Sequence, residues 1–121
     1  MRSSKPRILL LAAAVLSTLV LTPGASEGAR ARVKATSNRT WDPDFRHILK
    51  GDKIIWKNPT GIDHTVTAYR QNWDKNTRLD PDERTSKRFR KTGTFKYRCR
   101  IHSTLSDGEC SGMCGEIHVT K

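Results

Sequence analysis

From residue 30 onward, apolar and polar residues alternate with a period of two in short runs, and no run carries the 3.6-residue period of an amphipathic helix. Ala31 to Thr36 (A-R-V-K-A-T) alternates small or apolar with basic residues, the pattern of a half-buried strand. Lys53 to Lys57 (K-I-I-W-K) is a strongly β-prone segment, and Asp63 to Tyr69 puts His64, Val66 and Ala68 on one face. Ser86 to Arg90 and Thr94 to Arg98 predict two strands joined by Lys91-Thr92-Gly93, with Phe89, Phe95 and Tyr97 turned inward. Gly115 to Thr120 alternates as a closing strand. Turn chemistry fills Ser37 to Asp44, Lys50-Gly51-Asp52 and Asn58-Pro59-Thr60-Gly61. Phe45 and Ile48 are expected in the core, and Arg70 to Glu83, with few apolar anchors (Trp73, Leu79), is expected to be a long loop or a short irregular turn. About seven short strands separated by turn residues imply an all-β Greek-key sandwich.

The first residues obey a different rule. Arg2, Lys5 and Arg7 precede an uncharged run of 14 residues, Ile8 to Leu21, rich in Leu, Ala and Val. Such a run suits the apolar part of a signal peptide and is shorter than the roughly 20 residues a spanning helix needs. Pro23 and Gly24 break the helix, and Ala25, Ala29 and Ala31 offer cleavage points. The chain thus divides into a signal peptide, residues 1–29 with a boundary between 25 and 31, and one domain, residues 30–121. A lipoprotein anchor would need a cysteine near that boundary, and there is none. The product is expected to be exported, with no transmembrane segment in the mature chain. The Asn38-Arg39-Thr40 sequon matters only in a glycosylating host.

Charge narrows the partners. The chain has 23 Lys and Arg against 12 Asp and Glu. Without its first 29 residues it keeps 20 against 11, a net charge of +9. That balance favours anionic partners and salt-sensitive association, and would equally suit a polyanionic cell surface. Nucleic acid is disfavoured, because an exported chain rarely meets it and the charges are spread through the strands rather than gathered beside exposed aromatics.

Export also changes how the three cysteines are read. In an oxidising compartment an even number pairs off, and the odd one needs a reason. Cys110 and Cys114 lie four apart in a Gly/Ser stretch, close enough to bridge each other, which leaves Cys99. A free exported thiol is a liability unless a metal occupies it. His102 follows Cys99 by three residues, Met113 follows in the same stretch, and His64 comes from a separate strand. Two imidazoles, one thiolate and one thioether form the donor set of a mononuclear type 1 copper site. His47 and His118 are expected to be ordinary surface residues, since His118 alternates with Ile117 and Val119.

In these residues the chain resembles the cupredoxins, the small blue copper proteins of the plastocyanin, azurin and amicyanin kind. The resemblance runs through Lys50 to Asn58 (K-G-D-K-I-I-W-K-N), His64, Gly93 to His102 (G-T-F-K-Y-R-C-R-I-H) and Gly112 to Val119 (G-M-C-G-E-I-H-V). It implies the cupredoxin β-sandwich, His64, Cys99 and His102 as equatorial copper ligands, Met113 as axial ligand, and electron carriage between larger redox partners. Two positions depart from the pattern. Ten residues, 103–112, separate His102 from Met113, where plastocyanin and amicyanin have only a few, and Thr65 stands where asparagine commonly follows the first histidine. A second likeness lies in Cys110 to His118, which resembles the dinuclear copper A motif of cytochrome oxidase subunit two. That reading leaves Cys99 and His102 unused and finds Lys121 where the motif has methionine.

The expectation is therefore an exported, monomeric one-electron carrier holding one copper ion, Cu(I) or Cu(II), and docking on acidic surfaces of redox partner proteins. The alternative is a copper-binding or copper-delivery protein with no electron-transfer role. An enzyme is not expected, because four protein ligands leave no open coordination position and one small domain offers little room for a substrate cleft.

Overall fold

The computed structural model describes residues 3–4, 12–18 and 28–121. The expected signal segment falls mostly outside the described residues. The described chain folds into nine strands: β1 (Arg30–Ala35), β2 (Trp41–Asp42), β3 (Phe45–Leu49), β4 (Lys53–Lys57), β5 (His64–Ala68), β6 (Asn76–Leu79), β7 (Arg84–Arg88), β8 (Gly93–Ser106) and β9 (Glu109–Thr120). They form a four-stranded sheet in the order β2-β1-β4-β7 and a five-stranded sheet in the order β3-β9-β8-β5-β6. Pairs β1/β4 and β3/β9 are parallel, which sends the chain between sheets instead of back along one sheet. No described helix is long and apolar enough to cross a membrane.

Period-two alternation decides which side chains meet between the sheets. Val33 and Ala35 from β1 and Ile54 and Trp56 from β4 face Val66, Leu79, Tyr97, Ile117 and Val119 of the other sheet. Aromatic rings fill the middle: Trp56 packs edge-on to Tyr97 at 5.4 Å between centroids and stacks with Trp73 at 6.4 Å. Burying a side chain of this size is worth about 2–3 kcal/mol, so this cluster supplies much of the cohesion of a domain of modest core. Gly115 sits against the Tyr97 ring so closely that a Cβ there would overlap it.

Several expectations need correction. Ile48 is buried, but Phe45 is 49% exposed and packs edge-on against His118 on the outside of the sheet. His118 is accordingly half-buried rather than free in solvent, and it pairs with Glu116. Arg70 to Glu83 is not all loop. It contains β6, a polar edge strand whose register with β5 (His64↔Leu79, Thr67↔Asn76) comes from backbone bonds and the single buried anchor Leu79. Ser37 to Asp44 holds β2, and it buries Trp41. The stretch between His102 and Met113 is a hairpin: Ser103 to Ser106 pairs with Glu109 to Gly112 around Asp107-Gly108, both of which adopt positive φ.

Candidate metal centre

The site forms where a regular ladder breaks. Strands β8 and β9 run in register up to the pair Arg98↔Cys114 and resume at Ser103↔Gly112. Between these pairs β8 has four residues, Cys99 to His102, while β9 has one, Met113. The extra length bulges, and a bulge re-aims side chains. It turns the Cys99 and His102 side chains toward each other, with Sγ 3.5 Å from His102 Nδ1. His64, at the start of the neighbouring strand β5, brings its Nδ1 to 3.8 Å from the same sulfur.

Ligand atoms of His64, Cys99 and His102 all lie within 4.8 Å of one another. His64 and Cys99 are fully buried and His102 half-buried, so the group opens to solvent along the His102 ring. Met113 is fully buried in the same core cluster, on β9 opposite the bulge. Cys110 and Cys114 are joined by a disulfide, and Cys99 is free. Three of the four expected ligand residues, His64, Cys99 and His102, therefore meet in one group, while both copper A cysteines are spent on each other.

A shell of hydrogen bonds holds the bulge. Thr65 donates its backbone N–H to Cys99 Sγ at 3.3 Å, and its hydroxyl accepts from Arg100 N at 2.8 Å. The Ser103 hydroxyl donates to the Cys99 carbonyl at 2.5 Å, and Arg98 Nη1 donates to Ser103 O and Oγ. Thr65 thus ties β5 to the Cys99 loop by its hydroxyl. Gly112, at φ +101°, closes the hairpin so near β8 that a Cβ would lie 2.5 Å from His102 O.

Three contributors escaped the sequence reading. Trp41 covers one side of the site, its ring 6.2 Å from that of His64. Asn58, fully buried, donates from Nδ2 to Ile62 O (2.8 Å) and Leu79 O (3.0 Å). Its Oδ1 accepts from Thr60 N and Thr60 Oγ1, and Thr60 Oγ1 lies 3.0 Å from His64 Nε2. Asn58-Pro59-Thr60-Gly61 reads as a turn, and only the signal of asparagine after the apolar Ile-Ile-Trp run hinted at a buried polar anchor.

Electrostatics favours neutral rings. Burial pushes His64 below the ordinary histidine range, helped by His102 and Arg39 and opposed by Asp63. His102 is lowered by burial and then by Arg39. A neutral imidazole has a free lone pair, which a metal requires. A buried unpaired thiol flanked by two such rings fits a soft, thiolate-preferring ion, and copper meets both donor types.

No protein-family model and no curated protein sequence matches the chain. Solved structures do. A purple cupredoxin from Nitrosopumilus maritimus is 20% identical, with a TM-score of 0.59, covering 74% of this chain and 99% of that one. A reduced amicyanin variant is 21% identical with a TM-score of 0.62, covering 78% of this chain and 84% of that one. A copper-containing nitrite reductase from Thermus scotoductus is 20% identical with a TM-score of 0.62 over 76% of this chain, which spans only 22% of that enzyme. The chain therefore has the cupredoxin fold.

Proposed function

We propose that this chain is an exported type 1 copper protein that carries single electrons between redox partners. The observation that carries the reading is the convergence of His64 Nδ1 and His102 Nδ1 on a free, buried Cys99 sulfur. A copper ion held there would supply one-electron exchange between Cu(I) and Cu(II). His64, Cys99 and His102 would hold it, with Met113 behind them on β9. The protein's own contribution is rigidity: the ligands come from strands fixed by the sandwich, so little rearranges when the charge at the site changes.

Copper in the similar solved structures supports the choice of metal, since they include a Cu(I) amicyanin and a copper-containing nitrite reductase. The nitrite reductase likeness covers too little of that enzyme to carry its activity here, and we read this chain as a carrier rather than an enzyme. Electrons would pass at the half-exposed His102 edge. Arg39, which acts on both histidines, and the exposed Arg100 would favour an acidic surface on the partner. The chain is read as a monomer.

Copper delivery is the second reading, since the same ligands could hold an ion for transfer. Loading the protein with copper and following two reactions separates them. A carrier takes up one copper per chain, is reduced and reoxidised reversibly, and slows its reaction with an acidic partner as salt rises. Metal lost to an apo-acceptor without redox cycling would favour delivery.

A further inference from the structure

The outer face of the β2-β1-β4-β7 sheet collects cations in register. The pairing places Arg30 beside Lys53 and Lys53 beside Arg88, all pointing away from the core. Four residues along, Lys34, Lys57 and Arg84 form a second such row. Arg32, Ile55 and Ser86 lie between them. Seven of these nine positions are therefore Lys or Arg and none is acidic. Among the described residues one carboxylate is paired with the grid, Asp42 on β2, 3.7 Å from the Lys34 amine. Arg46 adds another guanidinium by donating to the Arg32 carbonyl at 2.7 and 3.1 Å.

Like charges directly opposite one another across strands destabilise a sheet. Solubility alone is served better by mixed signs. The other sheet does mix them: Lys96 lies opposite Glu116, and Glu116 pairs with His118. A two-row lattice of seven cations with a single described counter-charge, Asp42, is a local cost that a bound anionic surface would remove.

We propose that this face docks on an anionic lipid bilayer. The lattice extends in two directions, roughly 10 Å across three strands and 13 Å along them, from strand and residue spacings. A flat headgroup layer meets all of it, whereas a linear polyanion meets one row. No aromatic side chain stands on the grid to stack bases, and Ile55, its one apolar member, is half-buried, so contact is by charge and not by insertion. Docking through this sheet leaves the half-exposed His102, on β8 of the other sheet, off the contact. This inference goes beyond the electron-carrier reading and does not depend on it.

The test is sedimentation of the protein, as isolated from cells, with vesicles of phosphatidylcholine or of equimolar phosphatidylcholine and phosphatidylglycerol. Binding is expected to the anionic vesicles alone and to weaken with salt. Each Lys or Arg at such a surface contributes roughly a fivefold gain in partitioning, so Lys53→Gln/Lys57→Gln/Arg84→Gln should bind about 100-fold more weakly. Lys50→Gln/Lys91→Gln/Lys121→Gln, with the same charge loss off the grid, should bind within about fivefold of the parent. Should the face variant fail to melt like the parent, Arg30→Gln/Arg84→Gln, at exposed positions only, replaces it with an expected loss of about 25-fold. Equal losses in the face and control variants, equal binding to zwitterionic vesicles, or tighter binding to dissolved polyphosphate than to vesicles would each overturn the proposal.

Discussion

The Thr60 hydroxyl sits 3.0 Å from His64 Nε2, and it can only accept there. Its one proton goes to Asn58 Oδ1 (2.6 Å) or to the Ile62 carbonyl (3.2 Å), neither of which can donate. The orientation of Asn58 is fixed in turn, because its Nδ2 faces two carbonyls. His64 therefore carries its proton on Nε2 and presents the Nδ1 lone pair toward Cys99. Partners of this kind commonly change metal affinity 10–100-fold. Thr60→Val should weaken copper binding by about that factor, and Thr60→Ser should restore it. Nitrogen chemical shifts of His64 in the metal-free protein check the tautomer independently of any metal.

Gly112→Ala tests the hairpin's close approach. The substitution puts a methyl 2.5 Å from the His102 carbonyl at a backbone φ of +101°. A left-handed conformation and the displacement of β8 together should cost about 1–3 kcal/mol, read as a lower midpoint in denaturant. The backbone amide signals of His102 and Ser103 should shift most.

The Cys110–Cys114 bridge closes a ring with a sequence separation of four and lies next to Met113. A ring so small constrains the unfolded chain by only about 2 kcal/mol. A Cys110→Ser/Cys114→Ser variant should therefore stay folded and lose no more than about that in urea titration. Complete unfolding on reduction would show that the hairpin lacks the support its cross-strand pairs provide.

Lys75 gives a pH signature. Its amine donates to Thr77 and Thr85 and lies 5.6 Å over the Trp56 ring, and burial followed by the nearby Lys87 lowers its pKa from 10.5. The unfolded chain binds that proton more tightly, so the penalty is full below the lowered folded pKa and fades as pH climbs toward 10.5. Compared with Lys75→Met, which cannot titrate, the parent should gain stability across that alkaline window. A constant gap between the two from pH 7 to 10.5 would contradict the assignment.

Alternation made most of the sandwich legible, because β1, β4, β8 up to Cys99 and β9 from Met113 bury every second residue, whereas β5 buries the adjacent pair Val66 and Thr67 and leaves Ala68 half-buried. Edge strands were not legible. β6 (Asn-Thr-Arg-Leu) buries only Leu79 and owes its existence to the β5 backbone, while β3 turns Phe45 outward onto His118. The donors could be read because thiol, imidazole and thioether are few in this chain. What orients them could not: Asn58 and Thr60 look like turn residues until the fold buries one and aims the other at His64. The cationic lattice was hidden for a similar reason. Each strand shows its own alternation, but only the register aligns Arg30, Lys53 and Arg88.

The central claim is that the Cys99 sulfur binds copper jointly with His64 and His102. The direct measurement is the visible spectrum of the protein titrated with Cu(II), beside Cys99→Ser. An intense blue or purple thiolate-to-copper band that saturates at one copper per chain and is missing in the variant is the predicted result. A colourless complex, or an equally coloured Cys99→Ser protein, would contradict it.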